Sequence, residues 1–108
     1  MNRSTDPDEL IETLKAYGAR VRLRKSGHLH TLDLSHCDPP PNDATIQQLD
    51  AIPNIEVLDC TGALITDASV SHLIAHRRLK LMTLTGTQVS PEGIKRLRQN
   101  MIGCRIIT

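Results

Sequence analysis

The chain has 108 residues, with no Trp or Phe and a single Tyr17, so one domain with an interior of Leu, Ile, Val, Ala, Met and Cys is expected, a composition suited to small side chains stacked in layers. A formal net charge of +1 gives no general electrostatic reason to expect nucleic acid or a membrane surface as partner. The three cysteines, Cys37, Cys60 and Cys104, cannot all pair with one another and form no C-x-x-C metal or redox motif, so reduced, mostly buried thiols are expected.

The polar start, Met1 to Pro7, has no apolar run of signal-peptide length behind it. No segment approaches bilayer length, and a cytoplasmic location is expected. Residues 6–18 predict one helix, with acidic residues over the positive end of its dipole and Gly18 as its stop. Val21 and Leu23 alternate with Arg20, Arg22 and Arg24 in a strand pattern that ends at Lys25-Ser26-Gly27-His28. A two-residue Ser26-Gly27 turn folds this strand antiparallel onto residues 28–34 and sets Arg20 opposite Asp33. Its outward arginines blunt an open sheet edge.

Beyond this hairpin the chain repeats itself. Leu29-His30-Thr31-Leu32-Asp33-Leu34, Ile55-Glu56-Val57-Leu58-Asp59-Cys60 and Leu79-Lys80-Leu81-Met82-Thr83-Leu84 all read apolar-x-x-apolar-x-apolar, at offsets of 26 and 24 residues. Ser35-His36-Cys37, Thr61-Gly62-Ala63 and Thr85-Gly86-Thr87 follow in register, with Gly62 and Gly86 serving the turn. Helical segments come next, with apolar residues three apart at Ile46/Leu49, Val70/Leu73 and Ile94/Leu97. Asn42, Thr66 and Ser90 precede them as N-caps, and the two extra residues of the first segment fall at Pro39-Pro40-Pro41. Residues 104–107 predict a truncated fourth strand, because Ile106 follows Leu97 at the spacing of Leu58 after Leu49.

This L-x-x-L-x-L-x-x-[N/C]-x-L pattern, with Cys37, Ala63 and Thr87 at the N/C position, resembles the leucine-rich repeat. Ile65-Thr66-Asp67-Ala68 resembles its cysteine-containing subtype, and Gly86-Thr87-Gln88-Val89-Ser90-Pro91-Glu92-Gly93 the bacterial G-T-x-V-T-D-x-G-L type. The resemblance covers residues 29–108. It implies an α/β fold, a short leucine-rich-repeat solenoid in which a parallel sheet is backed by helices, with an N-terminal helix and β-hairpin as cap. The expected organisation is a cap at 1–28 and repeats at 29–54, 55–78, 79–102 and 103–108, forming one structural domain. With both ends capped, the chain reads as a complete protein. Departures from the pattern are the triple proline, Cys60 and Met82 in place of Leu, and the lack of any ladder asparagine to satisfy the turn carbonyls.

The resemblance also implies a protein partner held on the open sheet face, with Thr31, Asp33, Ser35, Val57, Asp59, Thr61, Leu81, Thr83 and Thr85 as the contact surface. Asp33 and Asp59 fall side by side there. They form either an acidic spot for a basic partner group or a repulsive pair relieved by Arg20. A second candidate surface is the basic C-terminal helix with Lys95, Arg96 and Arg98. Residues 77–108 carry seven basic groups against Glu92 alone, and residues 1–76 carry six basic and eleven acidic groups, so a dipole along the chain is expected. That charge split leaves open an adapter or assembly subunit docking through its two ends, or weak head-to-tail self-association.

No catalytic, metal or cofactor site is expected, and the chain does not read as an enzyme. His72 and His76 stand i, i+4 without the carboxylate of an H-E-x-x-H motif, and are expected to face solvent on a helix, as His30 and His36 are at the surface. Cys37 and Cys60 are expected as core or turn fillers. Cys104 beside Arg105 has no base partner to activate it.

Overall fold

The computed structural model describes residues 6–108; the polar start at residues 1–5 lies outside it. Helix α1 spans Pro7–Ala16, and the Asp6 side chain caps it by accepting from the amides of Asp8 and Glu9. The chain turns at Gly18, whose φ of +115° only glycine adopts without strain. Strand β1, Arg20–Leu23, then pairs antiparallel with β2, Leu29–Asp33, and sets Arg20 opposite Asp33 as expected.

The hairpin loop corrects the sequence reading in one respect. The Arg24 amide donates to the His28 carbonyl at 2.8 Å and the Gly27 amide to the Arg24 carbonyl at 2.9 Å, which makes a three-residue loop, Lys25-Ser26-Gly27, with Gly27 at φ +89°. The pairing then slips by one residue, since Leu23 faces Leu29 while Arg22 faces Thr31. This irregularity at His30 cancels the longer loop and restores the expected register at Arg20. Leu23, on the edge strand, is 55% exposed among the described residues.

Strands β3 (Val57–Asp59), β4 (Leu81–Thr83) and β5 (Arg105–Ile107) add to β2 in parallel, giving a five-stranded sheet in the order β1-β2-β3-β4-β5. Helices α2 (Asp43–Gln48), α3 (Val70–Ile74) and α4 (Pro91–Asn100) connect successive parallel strands, with 3-10 turns at Leu49–Ala51 and Asp67–Ser69. Leu32, Leu58, Met82 and Ile106 occupy one register row. All four are buried and join Ile46, Leu49, Ile65, Val70, Leu73 and Leu97 in a single apolar core.

All three expected caps form. Asn42 accepts from the Thr45 amide in a reciprocal capping box, Thr66 from Ala68 and Ser90 from Gly93. The turns need no asparagine ladder. Main-chain amides of neighbouring segments satisfy the turn carbonyls instead, Leu64 donating to Pro41 at 2.7 Å, Gln88 to Ile65 at 3.0 Å and Gly62 to Thr85 at 2.9 Å.

The N-caps are tied together as well. The Asp43 carboxylate accepts from the Thr66 amide (2.9 Å), the Thr66 hydroxyl (2.8 Å) and the Ser69 hydroxyl (2.6 Å). One segment further on, Asp67 accepts from the amide and hydroxyl of Ser90 at 2.7 and 2.5 Å. Each first-turn carboxylate therefore fixes the cap of the next helix. Among the described residues, no helix is long and apolar enough to cross a membrane.

Candidate functional site

Period-two geometry sends alternate strand residues to opposite faces of a sheet. With Leu32, Leu58 and Met82 committed to the core, their neighbours line the other face. Thr31, Val57, Leu81 and Arg105 are register partners across β2 to β5, and Asp33, Asp59, Thr83 and Ile107 form the next row. Neighbours within a row stand roughly 4.8 Å apart. Ser35, Thr61 and Thr85 follow the strand ends. Of the nine residues expected on this face, Thr85 is exposed and the rest are half-buried, and β5 adds Arg105 and the 41%-exposed Ile107 to it.

The acidic pair has a structural task. Asp33 Oδ1 accepts from the Ser35 amide at 2.9 Å and its hydroxyl at 2.5 Å, and Asp59 Oδ1 accepts from the Thr61 amide and hydroxyl at 2.9 and 2.6 Å. These bonds close the turn after each strand. Burial pushes the Asp33 carboxyl up, but the two Ser35 bonds, with His36 and Arg20, outweigh it and hold the group below its usual value. In both residues the bonds fall on Oδ1.

The basic C-terminal residues belong to a different surface. Lys95, Arg96 and Arg98 are exposed on α4, and an Arg98 guanidinium nitrogen donates to the Ile106 carbonyl at 3.4 Å. Lys95 and Arg98 flank a groove of about 700 Å³ that Val89, Pro91 and Ile94 line with apolar surface.

Parallel strands also sort the charges by rim, a convergence that sequence reasoning missed. Residues before each strand gather at one rim together with the end of β1 and the loop after it. They include Arg24, Lys25, His28, Arg77, Arg78 and Lys80. Asp33, Asp43, Asp59, Asp67 and Glu92 collect at the opposite rim, by the strand ends and helix starts. Arg20, opposite Asp33, and Glu56, among the basic residues, are exceptions to this sorting. At the basic rim the largely buried Glu56 pairs with Arg24, with Lys80 at 3.4 Å and with His30 at 3.9 Å.

The histidine expectation needs correction. His72 is partly exposed and its Nδ1 lies 3.2 Å from Asp50 Oδ2, whereas His76 is only 2% exposed and neither ring nitrogen has a hydrogen-bond partner among the described residues. The reason is local: α3 ends at Ile74, so the chain leaves the helix before His76, whose amide closes the turn onto the Leu73 carbonyl. His76 therefore does not share a solvent-facing helix stripe with His72. Among the described residues, no three metal-type side chains gather. His76 lines a cleft of about 760 Å³ at the basic rim, between residues 74–80 and residues 100–104.

The chain matches no protein-family model, no curated protein and no solved structure. The chemistry of its own surfaces therefore carries the functional reading.

Proposed function

We propose that this chain is a non-enzymatic, cytoplasmic protein-interaction module, a short solenoid of the leucine-rich-repeat type that holds a protein partner on the open face of its sheet. The register row Thr31, Val57, Leu81 and Arg105 carries the proposal. Four strands present side chains at a fixed pitch on a face whose partners in the core lock their orientation. Val57 and Leu81 supply apolar contact at the centre and Ile107 at the β5 edge, and the Oδ2 sides of Asp33 and Asp59 supply polar contact beside it. Such a mixture of apolar core and polar rim suits protein recognition.

The test is capture of a partner from native cell extract by the wild type and by Leu81→Glu, with circular dichroism to confirm that both are folded. A bound protein lost in Leu81→Glu and retained in the control Lys95→Glu supports the open face. Equal capture by all three removes it.

A second reading rests on the groove beside α4. Its apolar floor and its Lys95 and Arg98 rim fit an adapter that docks through its ends, or head-to-tail association with the acidic α1 of another copy. Sedimentation at low and high salt separates the two readings, because an association driven by these charges dissolves as salt rises.

A further inference from the structure

The cleft at the basic rim stands apart from both proposed docking surfaces. We propose that it binds a small molecule carrying a phosphate group and an apolar body, with Arg77, Arg78 and Lys80 holding the phosphate and His76 completing the site.

Charge selects the anion. Arg77, Arg78 and Lys80 line the cleft, and Glu56 is the acidic group among the lining residues. Glu56 is shared between Arg24 and Lys80, the latter at 3.4 Å, which leaves Arg77 and Arg78 as the cations that do not pair with it. The carbonyl ends of α3 and α4 also abut the cleft, but a helix end carries only about half an elementary charge. Arg24, Arg77, Arg78 and Lys80 against Glu56 and two half-charged helix ends leave roughly two positive charges in excess, which suits a dianion. Two guanidinium groups add planar donor pairs that match phosphate oxygens.

Polar and apolar features of the wall point the same way. A buried imidazole ordinarily has a hydrogen-bond partner, yet both nitrogens of the 2%-exposed His76 lack one. Both nitrogens are sealed from solvent, so the imidazole has to turn towards the cleft to give one of them to an oxygen-bearing ligand. Leu79 and Met101 give the cleft an apolar floor, while Ile102 stands 90% exposed at its edge. An apolar body attached to the phosphate would cover that side chain. A cleft of about 760 Å³ is also in the range of small-molecule sites and larger than bare phosphate requires.

The full chain, labelled with nitrogen-15, is titrated with phenyl phosphate and with inorganic phosphate at constant ionic strength, while the His76 ring and backbone amides are followed by NMR. Phenyl phosphate is expected to give saturable shifts at His76, Arg78 and Met101 and to bind more tightly than inorganic phosphate. The exposed pair Arg77→Ala/Arg78→Ala is expected to weaken it by about tenfold or more. Bound phenyl phosphate is also expected to slow alkylation of Cys104, which lines the cleft, and to leave Cys37 unaffected. Shifts that never saturate, that centre on Lys95 and Arg98, or that persist unchanged in the double variant overturn the proposal. His76→Phe provides a further check, since it keeps the wall filled: undiminished binding there removes His76 from the site.

Discussion

Asp43 and Thr66, separated by 23 residues in sequence, are joined twice: one carboxylate accepts both the amide and the hydroxyl of the residue that caps the next helical segment. The Thr66 hydroxyl in turn accepts from the Ala68 amide. A single side chain thus orients a cap that orients a helix start. Asp67 repeats the arrangement on Ser90.

Removing this link should cost more than an ordinary surface substitution. Asp43→Ala leaves three donors without their acceptor and is expected to lose about 2 kcal/mol. Asp43→Asn keeps one oxygen and should lose less. Urea unfolding that shows an unchanged midpoint for Asp43→Ala would refute the link. The link also shapes the acid response. Burial raises the Asp43 carboxyl, but its bonds to Ser69 and Thr66 outweigh this and leave it below its ordinary 3.8. A folded-state value below the unfolded one means that this contribution is whole above 3.8 and is lost as pH falls below it.

Gly18 is the second point of rigidity. A Cβ at this position would lie 2.4 Å from the His36 carbonyl oxygen, and φ is already +115°. Both effects oppose Gly18→Ala, so a loss of about 2 kcal/mol or more is expected. Thermal unfolding measures it. A variant as stable as the wild type would mean that α1 is not held against the first turn through the Asp38 amide and Tyr17 carbonyl, which meet at 2.8 Å.

His76 should make stability depend on pH in a different window. Burial holds its imidazole below the usual 6.5; the Asp50 charge opposes that shift and the His72 charge assists it. The unfolded chain then takes up the proton first as pH falls. Stability is whole above 6.5 and declines as pH drops from there towards the folded value. His76→Phe removes two unpartnered nitrogens, so it is expected to raise stability by about 1 kcal/mol and to flatten the slope below pH 6.5. Denaturant midpoints measured across that range decide it, and an unchanged slope would assign the titration to another group.

The three thiols should differ in reactivity. Burial pushes Cys60 up to about 12, with the Asp59 and Cys37 charges adding to it, and the residue is 0% exposed. Cys37 and Cys104 are raised too, chiefly by burial, but remain partly accessible. Alkylation followed by mass spectrometry is expected to modify Cys37 and Cys104 in the native state and Cys60 only on unfolding. Equal rates at all three would contradict the packing of Cys60.

Features governed by local pattern were legible in the sequence. The offsets between Leu29, Ile55 and Leu79 determine which residues share a row, because a slip of one residue would turn Leu32, Leu58 and Met82 out of the core. Caps are equally local, and Asn42, Thr66 and Ser90 all cap as expected. The hairpin succeeded for another reason: its longer loop and the slip at His30 cancel, leaving Arg20 opposite Asp33. What pattern could not reveal depends on convergence. Asp43 reaches Thr66 only once the helices stack, and Arg24, Glu56 and Lys80 meet only because parallel strands bring their starts to one rim. His76 leaves the solvent-facing stripe expected from i, i+4 spacing because α3 ends at Ile74.

The open-face prediction depends on choosing the right substitution. Asp59→Arg is the obvious charge reversal, but it also removes the acceptor of the Thr61 amide and hydroxyl, and a loss of about 1–2 kcal/mol is expected from those bonds alone. Reduced partner capture in that variant would confound recognition with folding. Leu81 is half-buried and stands in its row between Val57 and Arg105, so Leu81→Glu places its carboxylate beside a cation roughly 4.8 Å away along the row. Its stability cost is expected to stay within about 1 kcal/mol. Unfolding curves and partner capture measured on the same preparations separate the two effects. Capture lost in Leu81→Glu at near-native stability, and only weakened in Asp59→Asn, is the expected pattern; capture that follows stability across both variants would remove the sheet face as the recognition surface.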